Sequence, residues 1–367
     1  MQPDDTVDSG PAAGLAAVRA ALERRDYGDA LTRLDLAGAS ALAGATGLRA
    51  QALWGCGRYD DALVEFEAAA DSPAASADDF VRCAQALASL GEPARAAARL
   101  DARKRHDERS VQAEFLRALY ALDLEPIAAA ASRFESLAAE FPGAGELVIA
   151  AEALAIFTGR SKAQPRDFGR ARANARWDAV LYQARHVPPA RVFGTAASLL
   201  RHASSACTVH GTTAEFGVFH GRSLRQIAAT TPGPVHGFDS FEGLPADWTA
   251  NDPRGSYSTG GVLPRMPANV VLHRGWFEQT LPAYLAAHPG PLRFAHVDCD
   301  LYESTRTVLG AFADRLVPGT VLQFDDYLGA GDEGERRAFA ELVAARGLSF
   351  EYLGFALLGR EAALRIT

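Results

Sequence analysis

The chain has 367 residues, 48% of them hydrophobic and 22% charged, with a net charge of −8; it is long enough for two globular cores and is neither disordered nor fibrous in composition. No apolar run reaches the roughly 18–20 residues that a membrane-spanning helix needs, and the acidic opening Met1-Gln2-Pro3-Asp4-Asp5 lacks the cationic start and apolar stretch of a secretory signal. The negative balance offers no nucleic-acid surface, and four dispersed cysteines (Cys56, Cys83, Cys207 and Cys299) without a CxxC pair argue against a disulfide framework or a cysteine zinc site, so a reducing cytoplasm is the expected setting.

Composition changes along the chain. Residues 1–165 carry 17 Lys+Arg against 25 Asp+Glu, residues 166–367 carry 20 of each, and eight of the nine histidines fall in the later part. Alanine dominates the first part, while Val, Phe, Gly and Pro become frequent in the second. An all-helical domain over 1–165 and a mixed domain over 166–367 are therefore expected, with the break at Ser161–Arg166. The first part also repeats itself. Tyr27-Gly-Asp-Ala-Leu-Thr-Arg-Leu34 is echoed from Tyr59 to Phe66, from Pro93 to Leu100 and from Ile127 to Phe134. The closing residues Leu34, Phe66, Leu100 and Phe134 are 32, 34 and 34 apart, each four residues after a small Ala30, Ala62, Ala96 or Ala130. That period resembles the tetratricopeptide repeat, although most of the family's Trp and Tyr positions are missing. Such helix pairs stack into a solenoid, whose concave face could hold a partner protein, a carrier-bound substrate or a second copy of the chain.

Beyond Arg166, helices are expected at Arg172–Ala184 and Thr195–Ala203, followed by strict alternation. Strands are predicted at Thr213–Phe219, Val235–Phe241, Val270–Arg274, Arg293–Cys299, Thr320–Asp326 and Phe350–Leu357. Helices between them are predicted at Ser223–Thr230, Glu278–His288, Ser304–Arg315 and Glu333–Arg346. This pattern calls for a mostly parallel sheet covered on both faces, with ligands beyond the carboxyl ends of its strands.

Polar residues gather at those ends. In Glu215-Phe-Gly-Val-Phe-His-Gly-Arg-Ser223, Gly217 and Gly221 let a ligand approach the backbone. A carboxylate inside that strand repels phosphate and suits a sulfonium or an amine; a simple glycine turn is the alternative. Asp239, 24 residues after Glu215, stands where a ribose diol is commonly held, with Glu242 in reserve. Gly275-Trp276-Phe277 can bracket an adenine ring or pack a helix on the sheet. His296-Val-Asp-Cys-Asp300 and Gln323-Phe-Asp-Asp326 end neighbouring strands. Asp298, Asp325 and Asp326 would there be drawn together, which requires a cation such as Mg²⁺, unless Asp300 and Asp326 merely cap helices. The 22 residues Ala246–Pro267, with three glycines, Trp248 and Tyr257, read as a lid or binding loop.

Together these lines resemble the class I S-adenosylmethionine-dependent methyltransferases, and more narrowly the macrocin O-methyltransferase family acting on sugars and natural products. The resemblance spans roughly residues 170–365. It implies a Rossmann-like methyltransferase sheet at the C-terminus. It places Glu215, Gly217, Gly221 and Ser223 at the methionine part of the cofactor, Asp239 with Ser240 at the ribose, and Gly275, Trp276 and Phe277 at the adenine. Asp298, Asp325 and Asp326 match the family's magnesium ligands. The only lysines are Lys104 and Lys162, so proton removal falls to Asp298, with Asp300 and His296 as lesser candidates. Two other classes stay open: a dinucleotide-dependent oxidoreductase, opposed by the missing GxGxxG, and a non-enzymatic adaptor with a degenerate second half.

Overall fold

The computed structural model describes residues 11–36, 44–103, 110–187, 190–328 and 334–367. Met1–Asp5, Lys104 and Glu333 lie outside the described residues.

The echoed segments each become one helix. α1 (Pro11–Glu23) pairs with α2 (Tyr27–Leu36), and α3 (Ala45–Gly55) with α4 (Tyr59–Asp71). There follow α5 (Ala77–Ser89), α6 (Pro93–Arg103), α7 (Val111–Leu124), α8 (Ile127–Glu140) and α9 (Gly145–Phe157). The echoes start α2, α4, α6 and α8, and their alanines Ala30, Ala62, Ala96 and Ala130 are wholly buried. A methyl-sized side chain at each of these points lets helix backbones approach, and the closing Leu or Phe fills the space one turn on.

Two compact units result, one of residues 1–87 with 98–110, the other of 88–97 with 111–367. The first has its own core around Val18, Ala30, Leu34 and Leu48. In the second, Phe134 of α8 and Leu154 of α9 share a core with Trp177 and the sheet residues Phe216 and Phe324. The compositional change at Ser161–Arg166 thus falls inside this second unit.

That unit continues with α10 (Ala171–His186), β1 (Arg191–Phe193), α11 (Ala196–Ser205), β2 (Thr212–Phe216), α12 (Arg222–Thr230), β3 (Val235–Asp239) and β4 (Val270–Arg274). It closes with α13 (Phe277–Ala287), β5 (Leu292–Val297), α14 (Tyr302–Phe312), β6 (Val321–Phe324), α15 (Gly334–Arg346), β7 (Phe350–Ala356) and β8 (Ala362–Ile366). The sheet runs β1-β7-β8-β6-β5-β2-β3-β4, parallel except for β8, which is antiparallel to both β6 and β7. Leu199 and Leu224 of α11 and α12 pack with Phe294 and Val321, while Leu281, Leu309 and Phe339 of α13, α14 and α15 join the larger core. The sheet is therefore Rossmann-like, and its connections diverge between β2 and β5, which makes that junction the switch point. Among the described residues, no helix is long and apolar enough to cross a membrane.

All six predicted strands are present; β1 and β8 are additional. β1 is a three-residue edge strand, too short to show alternation. β8, Ala362-Ala-Leu-Arg-Ile366, is buried at four of its five positions and so carries no two-sided pattern either. Phe134→Ala empties a ring-sized space in the second core, and we expect it to cost about 3–5 kcal/mol in urea unfolding. A loss below about 1 kcal/mol would contradict the packing described.

Candidate active site

Strand register builds the site. Phe216 pairs with Val297 and Val297 with Phe324, so the next residues Gly217, Asp298 and Asp325 lie side by side at the carboxyl ends of β2, β5 and β6. One layer deeper, Glu215 pairs with His296 and His296 with Gln323, a buried polar row across three neighbouring strands. Side chains alternate along a strand. His296 therefore shares a face with Asp298, and Gln323 with Asp325.

The glycine turn after β2 is held from below. Asp239 accepts hydrogen bonds through Oδ2 from the Val218 and Phe219 amides at 2.7 and 2.8 Å, and through Oδ1 from the Phe241 amide at 2.6 Å. A carboxylate has about four acceptor positions, so Asp239 keeps one for a ligand while fixing two turns. A β-carbon on Gly217, where φ is +89°, would lie 1.7 Å from the Asp298 carbonyl oxygen; only glycine fits there. Phe219, Phe241 and Asp300 follow β2, β3 and β5 with φ of 51°, 60° and 60°. Around Asp300 the Leu301 amide donates to the Cys299 carbonyl at 2.6 Å, which makes a γ-turn of the strained, positive-φ kind. Such strain costs about 1–3 kcal/mol per residue and clusters where a ligand is gripped.

The charges are unusual for a protein interior. Glu215 is fully buried, and its Oε1 meets His296 Nδ1 at 2.8 Å while Oε2 is buried with no partner. Burial pushes the Glu215 carboxyl upward against the opposing pull of His296 and a Ser223 hydrogen bond. Burial alone would lower His296, yet Glu215, Asp325 and Glu361 outweigh it and hold the imidazole above its ordinary value. Its other nitrogen, Nε2, is 3.8 Å from Asp325 Oδ1. Asp298 is pushed well above the usual carboxylate range by burial, then by Asp325 and Asp300. His296, Asp298 and Asp325 each offer a ligand atom, all within 4.8 Å of one another.

Asp326 is not in that cluster. As the neighbour of Asp325 on one strand end, it points to the other side, where its Oδ1 bonds the Arg360 guanidinium and its amide donates to Glu335 Oε2 at 2.9 Å. Asp300 sits in its own turn, close enough to Asp298 to raise it. Ser240 accepts from the Glu242 amide at 3.1 Å in a local turn. Gly221, φ +75°, precedes α12, Trp276 precedes α13 half-buried, and the Phe277 ring packs edge-on against Phe216 at 6.0 Å. Gly275 turns the chain between β4 and α13 with φ of +137°.

Three residues of the site were not anticipated. Glu335 of α15 is wholly buried and accepts from the Asp326 amide; burial and Asp326 push it well upward. Arg360 and Glu361 lie in the β7–β8 turn, Glu361 pushed up to about 8 by burial, then by Asp325 and Asp326. The signal for both is a hairpin, Gly359-Arg-Glu361 between two apolar runs. Ala246–Pro267, free of helix and strand apart from one bridge between Thr249 and Asp252, folds over this end. The Thr259 and Gly261 amides donate to the Phe241 carbonyl, Tyr257 packs edge-on against Phe219 at 5.9 Å, and the Arg360 guanidinium lies 5.4 Å above the Trp248 ring.

Residues 214–327 match the family described as a methyltransferase domain. Over 143 residues the chain is 34% identical to a Streptomyces olivaceus enzyme, 8-demethyl-8-(2,3-dimethoxy-alpha-L-rhamnosyl)-tetracenomycin-C 4'-O-methyltransferase, with 32% of this chain and 54% of that protein covered. The chain thus spans about half the length of this curated relative. Among solved structures, apo CalS11, a TDP-rhamnose 3'-O-methyltransferase of calicheamicin biosynthesis, is 27% identical, with a TM-score of 0.33 over 46% of this chain and 76% of that one. The O-methyltransferase NovP is 19% identical, with a TM-score of 0.38 over 60% and 99%.

The raised carboxyls set a pH dependence. Glu215, Asp298, Glu335 and Glu361 bind protons more tightly folded than unfolded, so ionising them at high pH favours unfolding. His296, raised by its partners, also loses its contribution as pH rises. His236, held down at about 4 by burial and by His273 and His288, acts oppositely, but only below the ordinary histidine pKa of about 6.5. In chelator-treated protein the denaturant midpoint should therefore fall between about pH 7 and about pH 8; a flat or rising midpoint would contradict this charge arrangement.

Proposed function

Because residues 214–327 match the methyltransferase domain family, we propose that the chain carries a methyl group from S-adenosylmethionine to a hydroxyl of a sugar on a glycosylated natural product or glycan, with Mg²⁺ at the acidic cluster. The observation that carries this reading is the set His296, Asp298 and Asp325, gathered within 4.8 Å at the switch point beside the Gly217 turn. The relative from Streptomyces olivaceus, named for methylating a rhamnosyl 4'-hydroxyl, supports a sugar as acceptor. The helical repeats of 1–165 would serve partner binding, carrier-bound substrate or self-association, and 166–367 the chemistry, in the cytoplasm.

S-adenosylmethionine supplies a methyl on a cationic sulfonium. For it, Glu215 keeps a buried, unpartnered oxygen, which favours a cationic ligand, and Gly217 and Gly221 keep the turn free of side chains; Ser223 steadies Glu215. Asp239 and Ser240 would take the ribose, and Gly275, Trp276 and Phe277 the adenine. A divalent cation held there would supply Lewis acidity toward the acceptor hydroxyl and would offset the repulsion among the carboxylates. The ion usually takes one or two protein carboxylates, which Asp298 and Asp325 provide; Asp326 joins them where Arg360 releases it. Asp298, beside the acceptor at the strand tip, would accept the hydroxyl proton, with Asp300 and His296 as substitutes. No lysine competes: Lys162, the only one among the described residues, is exposed beyond α9. Ala246–Pro267 excludes water and holds the acceptor in line, the alignment from which most of the acceleration derives.

Labelled S-adenosylmethionine with rhamnosylated aromatic acceptors tests this. Label should pass to the sugar, stop with chelator, return with Mg²⁺, and fall about 10²-fold or more in Asp298→Asn. Binding of NAD but not S-adenosylmethionine would overturn the reading; transfer indifferent to chelator would remove the ion from it.

A further inference from the structure

The opposite end of the sheet carries a second concavity. A cavity of about 670 Å³ opens at the amino ends of β2, β3 and β5, with Arg293, His210, His236, His288, Tyr284 and Thr213 among its walls. Its size is that of a small-molecule site. The strand residues that carry the chemistry above lie at the other ends of the same three strands, so this is a separate place.

Its chemistry is the reverse of the acidic cluster. In a chain of net charge −8, no aspartate or glutamate lines it among the described residues. Arg293 is half-buried, and its guanidinium donates only to neutral oxygens, Thr213 Oγ1 at 3.3 Å and the Ser204 carbonyl at 3.0 Å. A partly desolvated cation without a counter-charge is costly, and an oxyanion is the group that relieves it. The other titratable residues of the lining are imidazoles and a tyrosine rather than acids. His236 Nδ1 lies 3.1 Å from His273 Nε2, and the His288 ring stacks on Tyr284 at 4.2 Å and 17°. The Tyr284 carbonyl lies 3.0 Å from His288 Nδ1, so a proton on that nitrogen leaves Nε2 as the acceptor. Burial, then the charges of His273 and His288, hold His236 down at about 4, so its imidazole is neutral near pH 7 and offers a face for stacking.

We propose that this cavity is a second ligand site, taking a small molecule whose carboxylate or phosphate group pairs with the Arg293 guanidinium while its body lies against His236, Tyr284 and His288. The aromatic and imidazole faces provide stacking area, and the threonine hydroxyls additional donors. The site is independent of methyl transfer, since none of its residues reaches the carboxyl ends of the strands.

Calorimetric titration of the full chain with inorganic phosphate and, separately, with citrate tests the proposal and separates the two oxyanions. At least one should saturate as a single site, and Arg293→Gln should weaken it by about tenfold or more. In wild-type protein the ring-proton resonances of His236 and His288 should move with saturation while that of His186, on α10, stays. Should Arg293→Gln fail to fold, His288→Gln, just past the end of α13, is expected to weaken binding by about threefold. Neither probe saturating overturns the proposal, as does binding unchanged in the folded variant, or all histidine resonances moving together.

Discussion

Burying the Glu215 carboxylate beneath the carboxyl end of the sheet costs several kcal/mol unless partners offset it; His296 on the neighbouring strand does so at 2.8 Å, and Ser223 adds a hydrogen bond. That pair fixes the face of β2 against the face of β5, and with it the register that sets Gly217 beside Asp298 and Asp298 beside Asp325. The imidazole then meets a second carboxylate, Asp325, on its far side. One buried histidine shared by two acids does not balance the surrounding Asp298, Glu335 and Glu361, all held above their ordinary range. An excess of carboxyl groups at this end of the sheet suits a cationic ligand.

The backbone is arranged to the same end. Positive φ at Phe219, Phe241 and Asp300 costs energy that packing elsewhere must offset. It turns the chain sharply after three strands, aiming amides inward. Asp239 collects three of those amides, so one carboxylate holds two turns rigid. Such rigidity would serve the proposed methyl transfer, which requires the reacting atoms in line, and loops alone hold geometry less well than strand ends do.

Much of this was legible in the sequence for physical reasons. Alanine every 32 to 34 residues marks close helix contacts, and each proved fully buried. The inner strands β2, β3, β5 and β6 are mostly buried runs and the edge strand β4 opens on Val-Val-Leu, patterns that stand out in the sequence. Their polar tips stand out against that background. What escaped notice were features set by direction and distance. Asp325 and Asp326 are adjacent in sequence, and strand alternation sends them to opposite sides, one toward His296 and one toward Arg360. Glu335 sits in a helix whose pattern gives no hint that this acid faces inward. Arg360 and Glu361 belong to a hairpin whose second strand is too buried to alternate, so their approach to Asp325 and Asp326 depends on β8 being inserted between β6 and β7.

The central claim is that the gathered carboxylates hold one divalent cation. Calorimetric titration of metal-stripped protein with Mg²⁺ addresses it most directly, using Asp298→Asn, Asp325→Asn and, as an exposed control, Asp314→Asn. The account predicts one ion per chain in the wild type and the control, and none in the other two. Absence of Mg²⁺ binding in the wild type, or binding that survives both inner substitutions, would contradict it.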